Sequence, residues 1–138
     1  MATELILFAD YHQIHVFDEE SETDLGNYWN DEAYEAGIVV ADDAVGIVTS
    51  TDLDVGVSVE VLQEEPPAGD ATGRIVEGEL HVPSGRVVVM GCTDFLPDAA
   101  RFEVGRGRHR VRVARLPLDP AADDPDIEER LRLSIWPV

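Results

Sequence analysis

Five side chains in this sequence are of the types that most often do chemistry: four histidines and one cysteine. His12 and His15 stand three apart in Tyr11-His12-Gln13-Ile14-His15-Val16-Phe17, a segment whose alternation predicts a β-strand. Residues three apart in a strand point to opposite faces, so these two imidazoles cannot share a metal ion. His81 and His109 are remote in sequence, each with apolar or turn neighbours. Cys92 lies in Gly91-Cys92-Thr93-Asp94, with no signature of a cysteine enzyme around it. Asp119, Asp123, Asp124 and Asp126 share a loop that lacks the glycine and terminal bidentate glutamate of an EF-hand. The carboxylate pair of a glycosidase cannot be singled out from 29 acidic residues. The chemistry-bearing residues point to no catalytic centre, no metal and no cofactor. A non-enzymatic protein that acts by binding is expected.

Charge says more. The formal net charge is -19, and its distribution is uneven. Residues 1–73 hold eighteen Asp and Glu and no Lys or Arg, while residues 74–138 hold all ten Arg against eleven acids. There is no lysine. A surface of this sign repels nucleic acid and anionic lipid, and it attracts and steers a basic protein. A proteome-wide bias toward Asp, Glu and Arg would explain the total, but not a first half free of basic residues.

The elements that must position these groups are mostly strands. At 138 residues and 44% hydrophobic content, one domain over 1–138 with its own core is expected. Leu5-Ile6-Leu7-Phe8 reads as a buried strand, followed by the alternation of Tyr11 to Phe17. Asn30 can cap a short helix over Asp31 to Ala36, which Gly37 ends. Ile38-Val39-Val40, Gly46-Ile47-Val48 and the alternating Val55, Val57, Val59 and Val61 follow as strands. Residues 63–73 read as a loop. Two hairpins are then predicted: Arg74 to Val82 turning at Pro83-Ser84-Gly85 into Arg86 to Met90, and Phe102-Val104 turning at Gly105-Arg106-Gly107 into His109-Val113. Leu131, Leu133 and Ile135 mark a last strand. Eight or nine short strands with one short helix predict a mainly β fold, an antiparallel β-sandwich. Arg108, Arg110, Arg112, Arg130 and Arg132 would share one outer face, either as a basic stripe or paired with acids of adjacent strands.

The segment from residue 9 to 45 resembles the competence protein J family, inhibitors of the DNA-entry nuclease of bacterial competence. The resemblance rests on Tyr11-His12-Gln13 with Val16-Phe17, on Trp29 followed by Asp31-Glu32-Ala33, Glu35 and Gly37, and on Ala41-Asp42 with Ala44. It covers about a third of the chain. It implies a protein that binds and blocks a nuclease.

A nuclease holds a polyanion, so an inhibitor can present carboxylates where phosphates would lie. The expected partner-binding residues are Asp18, Glu19, Glu20, Glu22, Asp24, Asp31, Glu32 and Glu35, with Tyr28 and Trp29 as aromatic anchors. For Trp29, packing on the sandwich is the stronger expectation. The expected partner is a basic protein such as a nuclease, with no direct contact to nucleic acid or membrane. A second reading is a ligand-binding or enzymatic sandwich with a pocket near Tyr11, Gln13, His15 and Trp29. One cysteine cannot form an internal disulfide, the start MATELILFAD lacks a positive leader, and no segment approaches the ~20 apolar residues of a membrane span. A cytoplasmic location is expected.

Overall fold

The computed structural model describes residues 2–67 and 74–138; the last six residues of the expected 63–73 loop lie outside that description. Ten strands run in chain order as β1 (Ala2–Phe8), β2 (Gln13–Asp18), β3 (Ile38–Val40), β4 (Ala44–Val48), β5 (Asp54–Val61), β6 (Ile75–Val82), β7 (Arg86–Gly91), β8 (Ala100–Glu103), β9 (Gly107–Leu116) and β10 (Glu129–Pro137). One α-helix, α1 (Asp31–Ala36), precedes β3. The strands form two five-stranded sheets, ordered β1-β5-β10-β9-β6 and β3-β4-β2-β7-β8. The mainly β sandwich is as expected.

The core follows directly from the period-2 pattern. Val55, Val57 and Val59 of β5, Val111 and Val113 of β9, and Leu131, Leu133 and Ile135 of β10 turn one face inward. Ile14, Val16, Val45, Ile47, Val87 and Val89 of the other sheet meet them. Each fully buried aliphatic side chain contributes about 1.5–3 kcal/mol relative to exposure. All the pairings are antiparallel except β5 with β10, which run parallel. A purely antiparallel sandwich is therefore corrected at one pair.

Both predicted hairpins are absent. β6 pairs with β9 and β7 with β2 and β8, so Pro83-Ser84-Gly85 carries the chain from one sheet to the other. β8 and β9 likewise lie in different sheets. Alternation cannot separate the two outcomes, because two half-buried strands show the same pattern side by side or stacked face to face. The two corners bond to each other: the Val104 and Gly105 N–H groups donate to the Gly85 carbonyl at 2.9 and 3.2 Å. His109 pins the same corner. It is 2% exposed, and its Nε2 and Nδ1 lie 2.7 and 3.1 Å from the Val104 and Gly107 carbonyls.

A second pair of corners closes the opposite end, where β1 passes to β2 and β4 to β5. There Ala9 N–H donates to the Leu53 carbonyl and Thr49 N–H to the His12 carbonyl, both at 2.9 Å. This corner corrects the strand expected from Tyr11. Residues Asp10–His12 form a 3-10 turn, with Tyr11 and His12 at φ 57° and 61°. The strand starts at Gln13, after which Ile14 and Val16 face the core as the alternation requires.

Candidate protein-interaction face

The acidic segment lies over the outer face of the sheet containing β2, β3 and β4, its path set by the hydrogen bonds of three carboxylates. Asp18 is 1% exposed. Its Oδ1 accepts from the Ser84 N–H at 3.0 Å and the Ser84 hydroxyl at 2.7 Å, and its Oδ2 from the Glu20 N–H at 2.9 Å. Asp43, in the β3–β4 turn, accepts from the hydroxyls of Ser21 and Thr23 at 2.9 and 2.6 Å. Asp24 caps a 3-10 turn over Leu25–Asn27 through the Gly26 N–H at 2.9 Å. These three carboxylates fix the loop's path. Nothing in the sequence distinguished Asp43 from its neighbours, since its role depends on a contact across 20 residues of chain.

α1 is short and formed by its ends. The Asn30 side chain accepts from the Ala33 N–H at 2.8 Å, and Gly37 at φ 81° returns its N–H to the Ala33 carbonyl. Asp31 and Glu32 lie at the positive end of the helix dipole. Trp29 and Tyr34 stack with ring centroids 5.0 Å apart. Trp29 packs with Phe17 against Leu25, Ala33, Val39, Ala41 and Ala44, so it anchors the helix as packing predicts. Its ring lies so close over β4 that a Cβ at Gly46 would meet Trp29 Cζ2 at 2.7 Å.

The expected partner-binding residues therefore divide. Asp18 is turned inward and consumed by the fold. Glu19 is half-buried, 3.6 Å from Arg86 and 3.4 Å from Arg101. Glu20, Glu22, Asp24, Asp31, Glu32 and Glu35 are exposed and make no ion pair among the described residues. Tyr28 and Tyr34 are 46% and 47% exposed beside them. Tyr34 was missed as a surface aromatic because its place in the helix reads equally as packing. The segment from Glu20 to Glu35 thus carries six exposed carboxylates without an ion pair among the described residues, and two exposed tyrosine rings.

The pocket anticipated around Tyr11, Gln13, His15 and Trp29 does not assemble. Tyr11 projects from the corner at 67% exposure, and Trp29 packs under the helix. His15 instead lines a groove of about 300 Å³ with Phe17, Met90, Leu96 and the acidic loop. Its Nε2 contacts Gln13 Oε1 at 2.9 Å, and burial lowers its pKa against a smaller opposing pull from Asp24. The Cys92 thiol donates to the Asp10 carbonyl, and burial with the nearby Asp10 charge raises its pKa, which keeps it protonated. Among the described residues, no three or more His, Cys, Asp or Glu side chains are grouped to hold a metal ion.

The five arginines of the other sheet share an outer face, as their alternation predicts, but acids interleave with them. Arg112 bonds Glu77 at 2.7 Å and Glu65 at 3.3 Å, and lies 5.0 Å over the Trp136 ring. Arg108 bridges Asp42 and Glu79, and Arg130 reaches Asp123 at 3.6 Å. Arg110 stands opposite Glu79 in the ladder, and Arg132 is also engaged. Three of the five arginines are thus held in ion pairs with acids.

A model of the family Competence protein J (ComJ) matches residues 6–136. The chain belongs to the competence protein J family. The motif-bearing segment of residues 9–45 supplies β2, α1, β3 and the start of β4, and the family match extends it over both sheets. The fold is similar to that of ComJ from Bacillus subtilis, described as an inhibitor of the DNA degrading activity of NucA, with TM-score 0.78 at 18% identity over 100% of this chain and 99% of that one. It is also similar to the crocagin biosynthetic gene J product, with TM-score 0.59 at 17% identity over 99% of this chain and 97% of that one. No curated protein sequence matches the chain. No helix among the described residues is long and apolar enough to cross a membrane.

Proposed function

We propose that this protein is a non-enzymatic inhibitor that binds a DNA-degrading nuclease through the face formed by Glu20, Glu22, Asp24, Asp31, Glu32 and Glu35. The observation that carries the reading is the absence, among the described residues, of ion pairs at these six carboxylates, on a protein whose other face pairs Arg108, Arg112 and Arg130 with acids. The similar fold of Bacillus subtilis ComJ, described as an inhibitor of the DNA degrading activity of NucA, supports a nuclease as the partner. A nuclease groove built for phosphates is electropositive, and a fixed array of carboxylates can occupy it without being cleaved. Tyr28 and Tyr34 add the rigid apolar area that usually dominates interface energetics. Blocking is then steric and electrostatic, with the carboxylates steering the approach. The unpaired Cys92 thiol accords with action in the reducing cytoplasm.

The test is DNA hydrolysis by a NucA-type nuclease of the same genome, measured with the parent chain and with Glu20→Lys/Glu22→Lys/Glu32→Gln. These side chains are exposed and unpaired, so the variant should fold as the parent does. Inhibition by the parent and its loss in the variant is expected. Equal inhibition by both proteins would remove this face from the mechanism, and no inhibition by the parent would remove the nuclease reading.

A further inference from the structure

Arg74, just before β6, and Arg115, near the end of β9, stand side by side at the rim of the space between the two sheets. Ile75 stands opposite Ala114, and the Arg115 N–H donates to the Arg74 carbonyl at 3.4 Å, so the two arginines are cross-strand neighbours. Both share the alternation phase of Val76 and Val113, which pack toward the core. Like charges directly opposite on adjacent strands repel. They are unexpected in a chain with 29 acids and ten arginines.

The compensation within the fold is incomplete. Glu129 Oε2 lies 3.2 Å from Arg115 Nη2, while Glu129 Oε1 is occupied by the N–H groups of Ser50 and Thr51 at 2.8 and 3.1 Å. Arg74 donates to the Glu35 carbonyl and makes no ion pair among the described residues. The Nε of Arg115 is buried without a hydrogen-bond partner among the described residues. Two guanidiniums and one carboxylate leave the cluster with one net positive charge. It opens on a cavity of about 220 Å³, whose walls include Tyr34, Ser50, Ile47 and Leu131. That is below the range of about 300–1,000 Å³ typical of drug-sized ligands. The space suits a group of a few heavy atoms.

We propose that this cavity binds a small anion, a carboxylate or a phosphate, held between Arg74 and Arg115. The planar guanidinium fork matches either oxyanion, and a charge-assisted hydrogen bond is stronger than a neutral one. The anion supplies the negative charge the arginine pair lacks. Its source is either a free ion or an acidic side chain of a bound protein. The cavity lies between the sheets at the end where β4 and β10 also meet, and it adjoins the proposed nuclease-binding face through Tyr34; its occupancy by an anion does not require the nuclease reading.

The experiment titrates the full chain with inorganic phosphate and, separately, with acetate, at constant ionic strength set by chloride. Amide chemical shifts and thermal midpoint are followed. Saturable shifts centred on Ser50, Thr51 and Arg115 are expected with at least one of the two anions, together with a raised midpoint. Arg74→Gln, an exposed side chain without an ion pair, should weaken that binding roughly tenfold, one lost charge-assisted contact. Saturation by phosphate marks a free-ion site. Saturation by acetate alone marks a carboxylate site suited to an acidic side chain. Arg115→Lys serves as the second variant, since it keeps a cation beside Glu129 and removes the Nε donor; weaker binding in this folded variant is also expected. Non-saturable shifts with both anions, or binding unchanged in both variants, would overturn the proposal.

Discussion

Replacing Asp18 by alanine separates a structural carboxylate from a recognition carboxylate within one loop. Its side chain is buried and accepts three hydrogen bonds, two from Ser84 and one from the Glu20 N–H. In the alanine variant the Ser84 hydroxyl can turn to the Arg86 carbonyl, which it already approaches at 3.1 Å. The two N–H groups have no such substitute. Both donors are only part-buried and water can reach them, so each loss sits toward the lower end of about 1–3 kcal/mol, and Asp18→Ala should lose about 2–4 kcal/mol in all. At about 4 °C per kcal/mol for a domain of this size, the midpoint should fall by about 8–16 °C. Asp18→Asn should also destabilise, since either orientation of the amide sets its NH2 against a donor. Urea unfolding of parent and variants, read by circular dichroism, measures both losses. A stability within about 0.5 kcal/mol of the parent would refute the assignment of Asp18 to the fold.

The remaining tests address the face and its supports. Association with a nuclease partner should slow as salt rises, because exposed charges are screened beyond ~8 Å at physiological ionic strength; stopped-flow rates that do not change with salt would count against charge steering. Gly46→Ala should force the Trp29 ring off β4, at a cost of about 1–3 kcal/mol and with a change in tryptophan emission, although no charge is altered. The lowered pKa of His15 means the folded state binds its proton less readily than the unfolded chain. Stability from that site is complete above the ordinary value of 6.5 and declines as pH falls below it, so His15→Gln should flatten the pH dependence of the midpoint between neutral and mildly acid conditions.

Much of the architecture was legible because strand alternation and burial obey the same period. Val55, Val57, Val59, Val111, Val113 and the leucines of β10 are inward residues in both sequence and structure. The helix was legible too, since Asn30 and Gly37 perform the capping for which their side chains are suited. Sheet membership was not. The turn at Pro83-Ser84-Gly85 has the composition of a hairpin, and only the packing of Leu80 and Val82 against Val87 and Val89 makes it a corner between sheets. Tyr11 and His12 continue the alternation of a strand in the sequence; the backbone there is set by the crossing from β1 to β2. At the candidate face, the sequence could mark where carboxylates concentrate. It could not show that Asp18 faces Ser84, 66 residues away, while Glu20 and Glu22 face solvent.

Because the chain changes sheets at four corners, neither sheet is a continuous piece of polypeptide. One collects β1, β5, β6, β9 and β10, the other β2, β3, β4, β7 and β8, and the corners are hydrogen-bonded in pairs at opposite ends. No half of the sandwich can melt away while the other persists as a folded remnant. The most protected amides of both sheets should therefore exchange with solvent only when the whole molecule opens, and at one common free energy. Such interlacing also places most pairings far apart in sequence, which favours slow, all-or-none folding over assembly by parts.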